Sequence, residues 1–150
     1  MRGPAATMDP LATSDTSDLA RDQGGRIGVG IDLVEVSQIA ESLRLFPERF
    51  ARRLFTPAEV EECARSGAGA PGRFAARFAA KEAGMKAIGT GWRRGVTWQD
   101  FEVANLRSGK PTLLLHGVAA GFAEKLGVKH VSLSITHTAG LGMAHVILED

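Results

Sequence analysis

Three stretches of the chain carry candidate reactive or ligand-binding side chains. The first is Gly28-Val29-Gly30-Ile31-Asp32, an alternation of aliphatic and glycine positions that ends on a carboxylate. A carboxylate at the end of a strand is a hard oxygen ligand of the kind Mg²⁺ takes. The same aspartate opens Asp32-Leu33-Val34-Glu35, a capping-box pattern in which it would instead cap the next helix. The second stretch runs from Arg77 to Lys86. On a helix Arg77 neighbours Lys81, and Glu82 neighbours Lys86. As a plain surface pair the latter two would contribute roughly 0.3–0.5 kcal/mol. Lys81 falls within the apolar stripe of Phe74, Phe78 and Met85, where a charge is costly unless it snorkels to water or meets an anion such as phosphate. The third stretch is Ser134-Ile135-Thr136-His137-Thr138. His137 shares a strand face with Val131, Leu133 and Ile135, the usual setting of a hydrogen-bonded histidine at a core edge.

Two further features complete the chemical inventory. Gly89-Thr90-Gly91 can cradle phosphate through backbone N–H groups or simply stop a helix. It is not a Walker A motif, because the glycine spacing and the GK[ST] ending are missing. Cys63 and His137 form a conceivable thiol–imidazole pair, but nothing in the sequence places the lone cysteine in an activating environment.

The elements that must position these residues can be read from periodicity. Ile27, Val29, Ile31 and Leu33 alternate with Gly28, Gly30 and Asp32, a period of two that predicts a strand. Its glycine face would form a floor without side chains on which something could lie. A helix is expected from about Glu35 to Phe46. Thr56-Pro57-Ala58-Glu59 opens another, with Thr at the N-cap, Pro at N1 and Glu at N3. The longest helix is expected from about Gly72 to Ile88, with Phe74, Phe78, Met85 and Ile88 on one face. Strands over Phe101 to Leu106 and Thr112 to His116 flank the turn Arg107-Ser108-Gly109-Lys110-Pro111. A helix from about Val118 to Leu126 precedes strands over Val131 to Thr136 and Met143 to Leu148, joined as a hairpin near Gly140. The order β-α-α-α-β-β-α-β-β predicts an α+β fold.

Bulk properties bound the possibilities. A chain of 150 residues holds one domain, and 44% hydrophobic residues suffice for a packed core. Residues 1–26 carry few large aliphatics and are expected to be a disordered tail, leaving 27–150 as the folded domain. That tail has no apolar signal core, and its four aspartates argue against a transit peptide. With 18 Lys and Arg against 17 Asp and Glu, nucleic-acid coating is not expected. Between Arg44 and Arg94, however, 11 basic residues face only 5 acidic ones, a block that would steer an acidic macromolecule or a polyphosphate. One cysteine excludes an intrachain disulfide and fits a reducing, cytoplasmic setting. No apolar run is long enough to span a membrane.

Taken together, the segments resemble a family. Gly28 to Glu35 resembles the opening of the holo-acyl-carrier-protein synthases, the short 4′-phosphopantetheinyl transferases. Arg73-Phe74-Ala75-Ala76-Arg77-Phe78-Ala79-Ala80-Lys81-Glu82-Ala83 resembles their central helix. Ala87-Ile88-Gly89-Thr90-Gly91, Gly109-Lys110-Pro111 and Ser134-Ile135-Thr136-His137 follow in the family's order. The resemblance implies that fold, with an antiparallel sheet packed on the long helix, and a homotrimer with active sites between subunits. It also implies the reaction, transfer of phosphopantetheine from coenzyme A to a serine of acyl carrier protein, with Mg²⁺. Asp32 and Glu82 would then hold the metal, with Lys86 beside them as a catalytic group. Arg77, Lys81, Lys86, Gly89, Thr90, Gly91, Lys110, Pro111, Thr136 and His137 would line the coenzyme A site. Family members often carry a carrier-docking arginine six residues after the aspartate; here that position is Gln38. Arg44, Arg49, Arg52 and Arg53 are expected to take over the attraction. A non-catalytic domain that binds a nucleotide or an acidic protein is the alternative, and a metal-dependent nucleotide hydrolase is a third reading.

Overall fold

The computed structural model describes residues 26–150. The tail expected over 1–26 therefore lies outside the described residues, except that Arg26 is the first residue of a strand. Strand β1 (Arg26–Glu35) is followed by four helices, α1 (Val36–Leu45), α2 (Pro47–Leu54), α3 (Pro57–Ala64) and α4 (Ala70–Ile88). Strands β2 (Phe101–Asn105) and β3 (Pro111–Leu115) form a hairpin, α5 (Gly117–Leu126) crosses over, and β4 (His130–His137) and β5 (Leu141–Glu149) complete the chain. The α+β class stands, with one more helix than the periodicity gave. Helix α2 opens on Phe46, which offers no side-chain cap, so only Pro47 at its start and the buried Ala51 and Leu54 mark it.

The strands make two antiparallel sheets rather than one. The larger has the order β1-β5-β4, and the smaller is β2-β3. Helix α4 is wedged between them. Thirteen of its nineteen residues are buried, so it is enclosed nearly all round and not amphipathic as its phenylalanine stripe suggests. Small residues make this enclosure possible. Ala75, Ala76, Ala79, Ala80, Ala83 and Ala87 are all buried. On the other flank, Gly84 lies against Phe101 of β2 and Leu113 of β3.

The two glycines of β1 fix how close the strand and α4 come. A Cβ on Gly28 would lie 2.0 Å from the Ala87 carbonyl oxygen, and one on Gly30 would lie 1.8 Å from that of Ala83. Only residues without a side chain permit this approach. The bare floor seen in the sequence is therefore covered by the protein's own helix. The aliphatic face is the one turned outward, with Val29 at 49%, Ile31 at 52% and Leu33 at 59% exposure. Leu141 and Met143 of β5 extend that exposed apolar face beside β1, through the register pairs Glu35 with Leu141 and Leu33 with Met143.

Asp32 sits in mid-strand opposite Ala144 and does not cap α1. The strand continues to Glu35, which occupies the N-cap position with no side-chain bond. The capping box read at Thr56 does form: its hydroxyl accepts from Glu59 N–H at 3.3 Å, and Glu59 accepts from Thr56 N–H at 2.9 Å.

Candidate active site

Asp32 of β1 is tied to α4, the helix that carries Glu82, through Lys86. Stepping along β1 from Gly28 to Gly30 moves the contact from Ala87 back to Ala83. Asp32 is two residues further on the same face of β1. Lys86 joins the two elements. Its ammonium donates to Asp32 Oδ1 at 2.9 Å and to the Ile31 carbonyl at 3.0 Å. The pair of Glu82 with Lys86 expected from helical spacing is not the one formed. Glu82 instead accepts from the Trp98 indole N–H at 2.8 Å. Both carboxylates are only partly buried, and Lys86 is half exposed. Asp32 thus holds the Lys86 cation, while Glu82, on the same helix as that cation, is held by an indole.

Lys81 is placed elsewhere, and this corrects its assignment to the coenzyme A site. Its side chain has no exposure and its ammonium donates to Glu59 Oε1 at 2.6 Å. It also donates to the carbonyls of Trp98 and Phe101. Burial pushes the Lys81 ammonium below its ordinary value of 10.5, and the Glu59 carboxylate pushes it back up. Enclosed on every side, this charge neither snorkels to water nor reaches a ligand. Glu59 was legible only as the N3 residue of a capping box. In the fold it also accepts from Val103 N–H at 3.1 Å, so a single buried carboxylate ties α3, α4 and β2 together.

The remaining expected site residues fall into three groups. Helix α4 ends at Gly89 in the left-handed region at φ 87°, and Gly91 follows at φ 58°. A Cβ on either glycine would meet nothing within 4 Å, so this loop presents open backbone at the C-terminal end of the helix that carries Glu82 and Lys86. Thr90 is buried, with its hydroxyl donating to the Gly91 carbonyl at 3.0 Å. The second group lies toward the other end of α4. His137 packs on Gly72, with Cδ2 3.0 Å from where a Cβ would stand. Arg77 is 5% exposed, and its Nε has no hydrogen-bond partner among the described residues. Gly72 and Glu82 are ten helical residues apart, about 15 Å at 1.5 Å per residue. Thr136, on the outer face of β4, pairs with Met143 and is exposed. The third group, Lys110 and Pro111, is at the β2–β3 turn, where Leu106 N–H donates to the Lys110 carbonyl at 2.9 Å. Within one chain, no hydrogen bond or ion pair among the described residues joins this turn to Asp32 or Glu82.

The thiol–imidazole option does not survive. Cys63 has no exposure, and burial pushes its thiol from 9.0 up to about 11. A neutral, enclosed thiol is not a nucleophile. Native protein at pH 8 should therefore resist alkylation at Cys63 and react only on unfolding or near pH 11. The sign of the linkage follows. The thiol stays neutral longer when folded, so its contribution to stability is complete below pH 9 and is lost as pH rises toward about 11. Comparing wild type with Cys63→Ala across that window checks it.

Comparison with known proteins gives a consistent answer. A 4′-phosphopantetheinyl transferase superfamily profile matches residues 28–144. The holo-[acyl-carrier-protein] synthase of Solibacter usitatus is 66% identical over 83% of this chain and 98% of its own length. That of Koribacter versatilis is 56% identical over 83% of this chain and 98% of its own. Among solved structures, the holo-[acyl-carrier-protein] synthase of Neisseria meningitidis superposes with a TM-score of 0.74 at 33% identity, covering 82% of this chain and 98% of that one. The Bacillus anthracis enzyme, solved in complex with coenzyme A (3′,5′-ADP), gives a TM-score of 0.70 at 34% identity, covering 85% of this chain and 99% of that one. The residues matched by the profile run from Gly28 of β1 to Ala144 of β5, and so include both carboxylates of the site. The chain belongs to the 4′-phosphopantetheinyl transferase superfamily.

Proposed function

We infer that the chain is a holo-[acyl-carrier-protein] synthase, transferring the 4′-phosphopantetheine group of coenzyme A to a serine of apo-acyl carrier protein. The observation that supports the site assignment is the bond to Asp32 from Lys86, one helical turn after Glu82 on α4. In this reaction the serine oxygen bonds to the phosphorus bearing the pantetheine arm. The bridging P–O bond of the pyrophosphate breaks, adenosine 3′,5′-bisphosphate leaves, and the serine hydroxyl proton is released to solvent. The nucleophile belongs to the carrier, consistent with the inert Cys63.

Asp32 and Glu82 are the residues that would hold Mg²⁺. Among the described residues no group of three or more His, Cys, Asp or Glu could hold a metal. That suits an ion completed by substrate oxygens and water, which needs only one or two protein carboxylates. When bound, Mg²⁺ supplies positive charge to the pyrophosphate oxygens. Lys86 adds a second positive charge. It donates to Asp32 and to the Ile31 carbonyl. The open Gly89–Gly91 backbone and the unpartnered Arg77 Nε are suited to the anionic groups of coenzyme A, with His137, Thr136, Lys110 and Pro111 as further lining.

The scatter of these residues along one chain supports a homotrimer with sites between subunits. The outward face of Val29, Ile31, Leu33, Leu141 and Met143 is apolar enough to be covered by another copy. A cytoplasmic setting goes with this reading. No helix among the described residues is long and apolar enough to cross a membrane.

Carrier docking falls to α2. Arg49 and Arg52 are exposed there, close in sequence to the exposed Leu45 and Phe46. Arg44 is already held by Glu41 at 2.8 and 3.0 Å, and Arg53 lies over the Trp98 ring at 5.8 Å. Charge reversal of Arg49 and Arg52 should raise the KM for acyl carrier protein by roughly tenfold or more at low salt. Coenzyme A binding should be unchanged. An unaltered carrier KM would remove α2 from the docking surface. The reaction itself is tested by stoichiometry: one adenosine 3′,5′-bisphosphate should appear per apo-carrier consumed. Release without carrier would point to a hydrolase, and no release at all to a binding domain.

A further inference from the structure

We propose that Trp98 is the positioning residue for Glu82: its indole N–H fixes one carboxylate oxygen and leaves the other free for the cation. This rests on the assignment of Glu82 as a metal ligand. The contact is a 2.8 Å bond from Trp98 Nε1 to Glu82 Oε1, sixteen residues apart in sequence. An indole is a donor only, so it can orient a carboxylate without competing for the ion. A glutamate has three rotatable side-chain bonds. Lacking this donor, Glu82 would be drawn to Lys86, its cationic neighbour one turn on. That pairing would take Lys86 from Asp32 and Glu82 from the metal together.

The indole is itself held. Its backbone carbonyl accepts from the buried Lys81 ammonium at 3.2 Å. The turn it opens, Trp98–Asp100, is closed by Thr97, whose hydroxyl donates to Asp100 at 3.1 Å. The Arg53 guanidinium lies over the ring. The buried ion pair of Lys81 and Glu59 thus acquires a function beyond stability: through Trp98 it sets the aim of a catalytic carboxylate. The interaction is of the outer-shell kind, in which a hydrogen bond to a ligating group tunes its affinity for metal.

The test uses the full chain with coenzyme A. Trp98→Phe keeps a ring and removes the donor. Calorimetric Mg²⁺ affinity should fall on the order of 10-fold. Coenzyme A affinity without metal should stay near wild type, and the protein should stay folded. A second reading needs no substitution in the measured protein. In wild type labelled with ¹⁵N-tryptophan, the Trp98 indole N–H resonance should shift as Mg²⁺ is added with coenzyme A present, and the same resonance is identified by its absence in Trp98→Phe. Unchanged Mg²⁺ affinity in Trp98→Phe, or an indole resonance that ignores Mg²⁺, overturns the proposal. So does an equal loss of metal-free coenzyme A binding, which would mark Trp98 as mere packing. Glu82→Ala separates the two levels. If it abolishes Mg²⁺ binding while Trp98→Phe does not alter it, only the positioning role fails. If Glu82→Ala leaves Mg²⁺ binding intact, the metal assignment itself fails.

Discussion

Replacing Asp32 or Glu82 by alanine is expected to lower the rate of phosphopantetheine transfer by on the order of 10²–10³-fold, as loss of a preorganised electrostatic group does, while the protein stays folded. The two halves of this expectation have separate physical grounds. Transfer of a phosphoryl group is mostly positioning and charge stabilisation, so removal of a carboxylate proposed to hold the metal takes away a principal anchor. Stability depends on other features. The Asp32 pair with Lys86 is at a partly exposed edge, where ion pairs contribute about 0–1 kcal/mol. Glu82→Ala frees an indole N–H that water can reach, a loss of about 1 kcal/mol. The close approach of β1 to α4 is set by Gly28 and Gly30 and is untouched. Steady-state rates alongside circular dichroism and thermal unfolding check both halves. Near-wild-type rates in either variant would remove that residue from the metal site.

The opposite pattern is expected at the buried pair. Glu59→Ala should destabilise the protein by about 3–5 kcal/mol, since it leaves an ammonium buried without its counter-charge. Against a total of roughly 5–15 kcal/mol this is a large fraction of the stability. More is lost than the pair itself. Glu59 also accepts from Thr56 N–H and Val103 N–H, so the α3 cap and a β2 backbone donor lose their partner. Lys81→Met should be milder, because the carboxylate keeps those two backbone donors. A double replacement by apolar residues, often neutral for buried pairs, should not restore wild-type stability here. The Phe101 carbonyl and the Val103 N–H would lose the partners these side chains supply, at about 1–3 kcal/mol each. Urea unfolding midpoints at constant slope measure these differences. A double variant as stable as wild type would show that the backbone groups find other partners.

These two sites mark where reading the sequence succeeded and where it stopped. Local signals carried through: the strand period at Ile27 to Leu33, the capping box at Thr56, and the helix stop at Gly89 all correspond to observed elements. What failed was the question of which face meets what. Gly28 and Gly30 were legible as a bare floor, but the ligand lying on that floor is α4, a tertiary fact. The apolar face of β1 then turned outward, against the usual expectation for an alternating strand. Asp32 matched a capping box because the four-residue pattern is indifferent to whether the strand has ended. Lys81 was recognised as costly within an apolar stripe, yet its partner lies 22 positions away at Glu59, already explained by its cap. Helix α2 was missed because neither end carries a polar side-chain cap. Trp98 gave no chemical signal at all, since its role exists only through a contact that the fold creates.

The most direct test of the proposed activity is the intact mass of an apo-acyl carrier protein incubated with this protein, coenzyme A and Mg²⁺. The carrier should gain the mass of one phosphopantetheine arm, on a serine, with adenosine 3′,5′-bisphosphate formed in equal amount. A carrier that keeps its apo mass while coenzyme A is bound, or while it is hydrolysed, would contradict that activity.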